Sequence, residues 1–176
     1  VETAAELGAG VRVVRGGRVG FASGGGADIE TLKGLWRRAA EQLSCAEAEP
    51  GRELAVPIVD REDPVFTASL WDETLFTRDW EHLEERLAAA EASARLGGRV
   101  LGAELAESRS EMVVASTRGV LARQRGGSAS VEVAVAAEDA GQTQIGEGFR
   151  VARRFADLDC AAAGAEAARR AAAGVG

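Results

Sequence analysis

The side chains that could carry acid–base or metal chemistry are few in this sequence, and they centre on one histidine. His82 is the only histidine among the 176 residues, so it is the only imidazole base that a catalytic triad could use. A zinc-binding helix of the HExxH type needs two histidines at positions i and i+4, so that both face one ion. The positions four residues before and after His82 are Arg78 and Arg86. We therefore predict an exposed helical histidine and no metal site in this chain.

Three carboxylates lie within three residues of His82 in the sequence, and two of them could form a general acid–base pair. Intrahelical ion pairs with Arg78 and Arg86 explain them more simply, because oppositely charged residues three or four positions apart meet on a helix surface. We predict such pairing for Glu81, Glu84 and Glu85.

The remaining reactive side chains lack the neighbours that catalysis needs. Ser128 and Ser130 alternate along a predicted strand with no base nearby in the sequence, so neither is expected to be a nucleophile. Cys45 and Cys160 show no CxxC spacing and are interpreted as inert buried thiols. The three tryptophans are expected to be core aromatics rather than a ligand cage: Trp36, Trp71 and Trp80. We thus assign no catalytic, cofactor-binding or metal-binding residue to this chain.

Composition narrows the class of protein further. The chain has 21 Lys and Arg against 28 Asp and Glu, a net charge of −7, which argues against nucleic acid as a partner because phosphate binding needs clustered positive charge. Hydrophobic residues make up 46%, the ordinary globular share. No apolar run approaches the roughly 18 residues of a membrane helix, so no membrane partner is expected. Two widely separated cysteines and no signal peptide favour a cytoplasmic setting.

The elements that must position these residues begin with a β-hairpin. Strands are predicted over residues 11–15 and 18–23, joined at Gly16-Gly17, where positive φ angles cost little. Asp28 is a plausible N-cap for a helix whose apolar residues follow the i, i+3, i+4, i+7 spacing. The predicted inward residues of this helix are Leu32, Leu35, Trp36, Ala39, Ala40 and Leu43. Residues 46–64 contain all three prolines and read as a long connection.

A second helix and a meander of strands follow. Thr77 or Asp79 would cap the helix, with Trp80, Leu83, Leu87, Ala90 and Ala94 facing inward. After Gly97-Gly98 the hydrophobic period changes to two. Strands are predicted at 99–107, 112–116, 120–124, 128–137 and 142–153, with turns at 108–110, 117–119 and 138–141. Asp157 or Asp159 would cap a closing helix over 160–173. The predicted fold is α+β, with the hairpin and an antiparallel meander in one sheet and helices packed on one face; the five segments are grouped into a meander of four strands.

Four stretches of the sequence together resemble the N-terminal domain of the TldD/PmbA (TldE) metallopeptidase family, slightly closer to the PmbA/TldE side. These stretches are residues 8–13 with 17–23, residues 110–119, residues 128–139 and residues 152–159. The resemblance implies that residues 1–176 form a single α+β domain. It further implies a fragment that lacks the start of that domain and a C-terminal metal-binding domain.

The resemblance also carries functional expectations. The parent would be a cytoplasmic two-domain protein that degrades or trims unfolded peptides and pairs with a homologous subunit as a homo- or heterodimer. The zinc ligands of the TldD side lie in an HExxxH helix that this sequence lacks. TldE lacks these ligands, so the parent resembles either a zinc metallopeptidase or its inactive partner. If the parent is TldD-like, we expect zinc in a C-terminal domain outside this chain, and we expect no catalysis by the chain alone. This chain would help to form the peptide channel and the subunit interface. The alternative is a stand-alone, non-enzymatic module that binds a peptide or a partner at a sheet edge.

Overall fold

The computed structural model describes residues 2–57, 70–139 and 141–174, and it confirms the α+β class. In chain order the elements are β1 (Gly8–Arg15), β2 (Arg18–Gly25), α1 (Ile29–Gln42), α2 (Trp80–Ala94), β3 (Arg99–Ala115), β4 (Leu121–Asp139), β5 (Gln142–Ala152) and α3 (Cys160–Ala173). Short 3-10 turns occupy Arg95–Gly97 and Phe155–Asp157. No helix in these ranges is both long and apolar enough to cross a membrane.

The contacts of the chain group it into two compact units. The first unit comprises Val1–Ile58 and Ala115–Leu121, and the second comprises Val59–Val114 and Ala122–Gly176. Whether residues 1–176 fold as the single domain predicted from the sequence, and whether they are a fragment, stay predictions.

In the first unit, α1 packs on the hairpin of β1 and β2. The strands are antiparallel from Gly8 opposite Gly25 to Arg15 opposite Arg18, and Gly16 and Gly17 make the turn with φ of 58° and 74°. The helix begins where predicted, because the Asp28 carboxylate accepts hydrogen bonds from the backbone N–H groups of Glu30 and Thr31. At Gly20 a Cβ would lie 1.8 Å from the carbonyl oxygen of Ala39. Only glycine at position 20 therefore lets the helix approach this closely.

The second unit is built on a three-stranded antiparallel sheet in the order β3-β4-β5. β4 and β5 pair from Ala129 opposite Ala152 to Asp139 opposite Gln142. The hairpin of β3 and β4 closes where the sequence predicts, since Ser116 donates a backbone hydrogen bond to Val120 and Gly119 has a φ of 88°. Because that closing turn lies within residues 115–121, it is counted with the first unit.

The predicted four-strand meander is partly wrong, because β3 and β4 are each continuous, and the hairpin of β1 and β2 forms a sheet of its own instead of joining the meander. Ser108 and Ser110, which were expected to form a turn, hydrogen-bond across the strand pair instead. The Ser108 hydroxyl lies 2.9 Å from the Ser128 hydroxyl, and the Ser110 hydroxyl donates to the Gly126 carbonyl at 3.4 Å. Gly127, which falls between the predicted strands 120–124 and 128–137, lies inside β4. A Cβ on Gly127 would come within 2.6 Å of the Leu75 side chain, so the glycine makes room for a core residue.

The core of the second unit lies between the sheet and the two helices α2 and α3. Alternate residues of β4 point into it, as the period-two pattern predicts: Ala129, Val131, Val133, Val135 and Ala137. Small residues bring the layers close together. A Cβ at Gly148 would lie 1.9 Å from the carbonyl oxygen of Ala163 in α3, and one at Gly164 would lie 1.9 Å from that of Ala90 in α2. This close approach accounts for the alanine-rich sequence of α3.

The helices bury fewer of their apolar residues than predicted. In α1 only Leu35 and Ala39 are buried, and in α2 only Ala90 and Ala94 are, with Leu83 and Leu87 partly so. The prediction of three core tryptophans is wrong for Trp36 and Trp80, each 56% exposed, while Trp71 is half-buried. The helices rest on glycines and alanines, so the bulky side chains at their flanks remain outside the contact.

Candidate functional site

His82 lies on the first turn of α2, where its backbone N–H donates to the Asp79 carboxylate that caps the helix. Its side chain is 48% exposed, with Nδ1 at 3.9 Å from Glu85 Oε2 and the ring 5.7 Å from that of Phe155. The prediction of an exposed helical histidine is confirmed. This geometry gives His82 a neighbouring carboxylate but no nucleophile to activate among the described residues.

The intrahelical ion pairs predicted around His82 do not form. Arg78 turns away from the carboxylates of α2 and pairs with Asp72 and Glu107, while Arg86 donates to the backbone carbonyl of Leu158. Both arginines face the core side of α2, and the ring of Phe155 lies under their guanidinium groups, 3.8 Å from Arg78 and 5.7 Å from Arg86. The arginines therefore fasten other segments of the second unit to this helix.

The serines and cysteines singled out in the sequence also lack the neighbours of a catalytic nucleophile in the described residues. Ser128 pairs with the hydroxyl of Ser108, which is not a base, and Ser130 lies half-buried two residues along the same face of β4. Cys160 is buried as predicted, and desolvation by that burial raises the pKa of its thiol. The prediction for Cys45 is wrong, because this cysteine is exposed just after the end of α1. In the parts of the chain that the structure describes, no base activates either thiol by a hydrogen bond.

The densest group of buried charges in the second unit is one that the sequence did not suggest. Asp72 is 9% exposed and accepts hydrogen bonds from the Thr74 N–H at 2.8 Å, the Thr74 hydroxyl at 2.6 Å and the Phe155 N–H at 2.9 Å. Arg78 lies 3.9 Å from the Asp72 carboxylate and 2.8 Å from that of Glu107. The other oxygen of Glu107 accepts from the Phe76 N–H at 2.7 Å. We call this group the Asp72 cluster.

The electrostatics of the Asp72 cluster suit a structural clamp. Burial alone would raise the pKa of Asp72, but the hydrogen bonds from Thr74 and Phe155 and the charge of Arg78 outweigh it, so the pKa lies below its usual value of 3.8. Every oxygen of the two carboxylates already has a donor within the cluster. It therefore holds residues 72–78 against β3 and against the turn before α3, and has no free group for a substrate. The Asp-x-Thr spacing of residues 72–74, typical of a turn in which the side chain binds the backbone two residues on, was the available signal.

Arginine and aromatic side chains continue the clamp along the same face of the hairpin. The guanidinium of Arg109 lies 5.3 Å from the Trp71 ring and 5.5 Å from that of Phe76, and it donates to the carbonyl oxygens of Glu73 and Leu75. These contacts explain how a segment without regular structure covers this part of the sheet.

Potential metal ligands are scattered across residues 2–57, 70–139 and 141–174. No three His, Cys, Asp or Glu side chains in these ranges lie close enough together to hold an ion. A cavity of 560 Å³ in the first unit lies beside the Gly16-Gly17 turn, and its charged side chains are already paired. Arg52 is 2.6 Å from Glu49 and Arg118 is 2.5 Å from Glu53. The cavity thus presents two neutralised pairs rather than a catalytic set.

A surface with several exposed apolar side chains in the described part of the second unit is the face of the three-stranded sheet opposite α2 and α3, which we call the outer sheet face. Its side chains alternate with the core residues of β3, β4 and β5. Apolar residues of β5 are exposed there: Ile145 by 61%, Phe149 by 52% and Val151 by 60%. Solvated faces of antiparallel sheets normally carry polar residues, and contiguous exposed apolar patches mark interaction sites. This face is therefore the best candidate for function in the second unit.

Comparison with protein families matches most of the chain. Residues 77–175 match the model described as the PmbA/TldA metallopeptidase central domain, and residues 1–43 match PmbA/TldA metallopeptidase domain 1. Comparison with curated protein sequences finds no match.

Three solved structures share the fold of the chain. TldE from Thermococcus kodakarensis is 19% identical with a TM-score of 0.72, over 91% of this chain and 36% of its own. A protein from Thermotoga maritima described as a candidate modulator of a DNA gyrase is 16% identical with a TM-score of 0.72, over 94% of this chain and 37% of its own. A Bacteroides thetaiotaomicron protein of the same description is 14% identical with a TM-score of 0.77, over 95% and 39%. This chain thus spans less than two-fifths of each relative.

Proposed function

Because the chain belongs to the PmbA/TldA metallopeptidase family, we propose that it is the non-catalytic leading part of a longer peptidase that degrades or trims unfolded peptides. The observation that carries the proposal is the succession of the two family domains, domain 1 over residues 1–43 and the central domain over 77–175. The larger size of the solved relatives supports a parent with a further domain.

Zinc would be held by that further domain rather than by this chain. The donor set of the described residues does not fit a zinc site, since His82 has only the Glu85 carboxylate beside it and no three ligating side chains come together. No catalytic step is therefore assigned to these residues.

The role proposed for this chain is to help enclose the peptide channel and to contact a homologous subunit in the cytoplasm. The exposed apolar residues of the outer sheet face support such a contact. The clamped segment of the Asp72 cluster supports it indirectly, because a rigid scaffold holds a contact surface in one shape. The partners proposed are the second subunit and the peptide substrate, without nucleic acid or membrane.

The test combines sequencing of the gene past residue 176 with a peptidase assay of its complete product. We expect the reading frame to continue past Gly176 into a domain with zinc ligands, and the complete product to cleave an unstructured peptide in a zinc-dependent manner. The matched control is the same product with its zinc ligands replaced by alanine. A stop codon directly after Gly176, or a complete product that cleaves no unstructured peptide with zinc bound, would contradict the proposal.

A second candidate function is a stand-alone module that binds a peptide at a sheet edge. In the first unit, among the residues described, β1 and β2 pair only with each other, so each leaves an edge. Beside them a 670 Å³ cavity is lined by a glycine-rich run and by the exposed ring of Phe21. Amide NMR shifts confined to β1 and β2 on addition of an unstructured peptide would support this candidate. Unchanged spectra at millimolar peptide would exclude it.

A further inference from the structure

The outer sheet face combines apolar side chains with acidic ones. Glu132 of β4 lies directly opposite Phe149, and Glu147 lies between Ile145 and Phe149 along the same side of β5. Glu104 belongs to the same face, because it alternates with the core residues of β3. All three carboxylates are exposed, and within the ranges that the structure describes none of them pairs with a cation.

Helix α1 of the first unit presents a surface of the opposite charge, which we call the α1 side face. Its apolar members are exposed: Ile29 by 69%, Leu32 by 37% and Trp36 by 56%. Lys33 and Arg37 continue this side of the helix at the i, i+4 and i+8 positions from Ile29. Lys33 has a solvent-exposed pair with Glu30, which contributes little, and Arg37 has no ion pair in the described part of the chain.

The two faces are complementary in both respects that decide an interface. Each joins exposed apolar side chains, which need burial, to charged ones: the sheet carries carboxylates without an ion pair, and the helix carries Arg37 together with Lys33, which is shared with Glu30. Trp36 and Arg37 are also the residue types that most often dominate binding energy. An acidic and apolar sheet on one side thus fits a basic and apolar helix on the other.

We propose that a second copy of this chain docks on the outer sheet face through its α1 side face. The proposal rests on the subunit-contact role given above and names the surface that performs it. A second copy is the occupant that the chain itself supplies, since each copy carries both halves of the contact.

The experiment measures association of the 176-residue chain by sedimentation equilibrium. We expect a dimer whose dissociation constant rises with salt, because the charges lie at an interface that water can reach. K33E/R37E should raise the dissociation constant about tenfold or more, and E132K/E147K should do the same, since each places like charges together. Combining all four substitutions in one chain should restore dimerisation, because the two faces become complementary again with reversed signs.

The control is E2K/E84K, which makes the same change in net charge as E132K/E147K at exposed positions outside both faces. We expect it to leave the dissociation constant unchanged. A wild-type chain that stays monomeric at several hundred micromolar would overturn the inference. So would a dimer that tolerates both face reversals, or one that the control weakens equally. None of these outcomes bears on the peptidase proposal, which is tested separately by zinc-dependent cleavage by the complete gene product.

Discussion

Replacing Asp72 by alanine should destabilise the second unit by about 3–5 kcal/mol, the usual cost of removing one partner from a buried charge pair. The carboxylate is 9% exposed and accepts from Thr74 and from the backbone N–H of Phe155, a residue only 1% exposed. Alanine would leave that N–H buried without an acceptor, at about 1–3 kcal/mol. It would also leave Arg78 with Glu107 as its only anionic partner among the described residues.

The assay is urea unfolding followed by circular dichroism, with E91A as the matched control. Glu91 forms an ion pair with Arg95 on the exposed side of α2, so its loss should move the midpoint little. An Asp72→Ala midpoint no lower than that of Glu91→Ala would refute the clamp.

The clamp also has a pH signature. The folded pKa of Asp72 is lowered below 3.8, so its ionised form stabilises the fold above the pKa of the unfolded chain. That contribution is lost as the pH falls through the lower folded pKa. The difference in stability between the wild type and Asp72→Asn should therefore shrink below about pH 4. A difference that stays constant down to pH 2 would contradict the assignment.

Packing and composition lead to three more predictions. Gly148→Ala should unfold the second unit at lower urea, because its Cβ would meet the carbonyl of Ala163 at 1.9 Å, whereas Gly102→Ala has open space and should not; equal midpoints would contradict this. Cys45 should react with a thiol reagent rapidly and Cys160 only on unfolding, because Cys160 is buried with a raised pKa; equal rates in the folded state would be inconsistent with the structure. Elemental analysis of the purified chain should find no stoichiometric zinc. One tightly held zinc per chain would contradict the proposal that a further domain holds the metal.

Local signals in the sequence specified the local structure well. Gly16-Gly17 fixes the hairpin turn through its positive φ angles, and Asp28 caps α1 through its side chain. The alternation along β4 from residue 129 to 137 predicts its buried face. In each case the residues that carry the signal are neighbours in the chain, so no tertiary contact is needed to interpret them.

Predictions from the sequence failed where contacts between residues far apart in the chain decide the structure. Ser108 and Ser110 favour a turn by themselves, but their bonds to Ser128 and Gly126 hold them in a ladder. Arg78 has carboxylates one turn along α2, yet it binds Glu107, which lies 29 residues away. The Asp72 cluster could not be predicted because its members come from three separate segments.

The burial of two tryptophans was predicted wrongly for a related reason. Trp36 and Trp80 lie at helical spacing with core residues, but glycines and alanines let the helices sit so close to their neighbours that large side chains do not fit between them. The exposed tryptophan of α1 is then available for the contact between two copies. The candidate interaction surface was thus only partly visible in the sequence, which indicated a sheet but not which of its faces stays uncovered.

The most direct test of whether this chain supplies contact surfaces without chemistry is peptide cleavage by the complete gene product carrying changes only within these 176 residues. H82A/S128A/S130A, which removes the only imidazole of these 176 residues and two half-buried serines of β4, should keep the zinc-dependent rate of the wild type. E132K/E147K should lower that rate together with subunit association. Loss of cleavage in the first variant with association and folding intact would contradict the claim that this chain supplies contact surfaces and not chemistry.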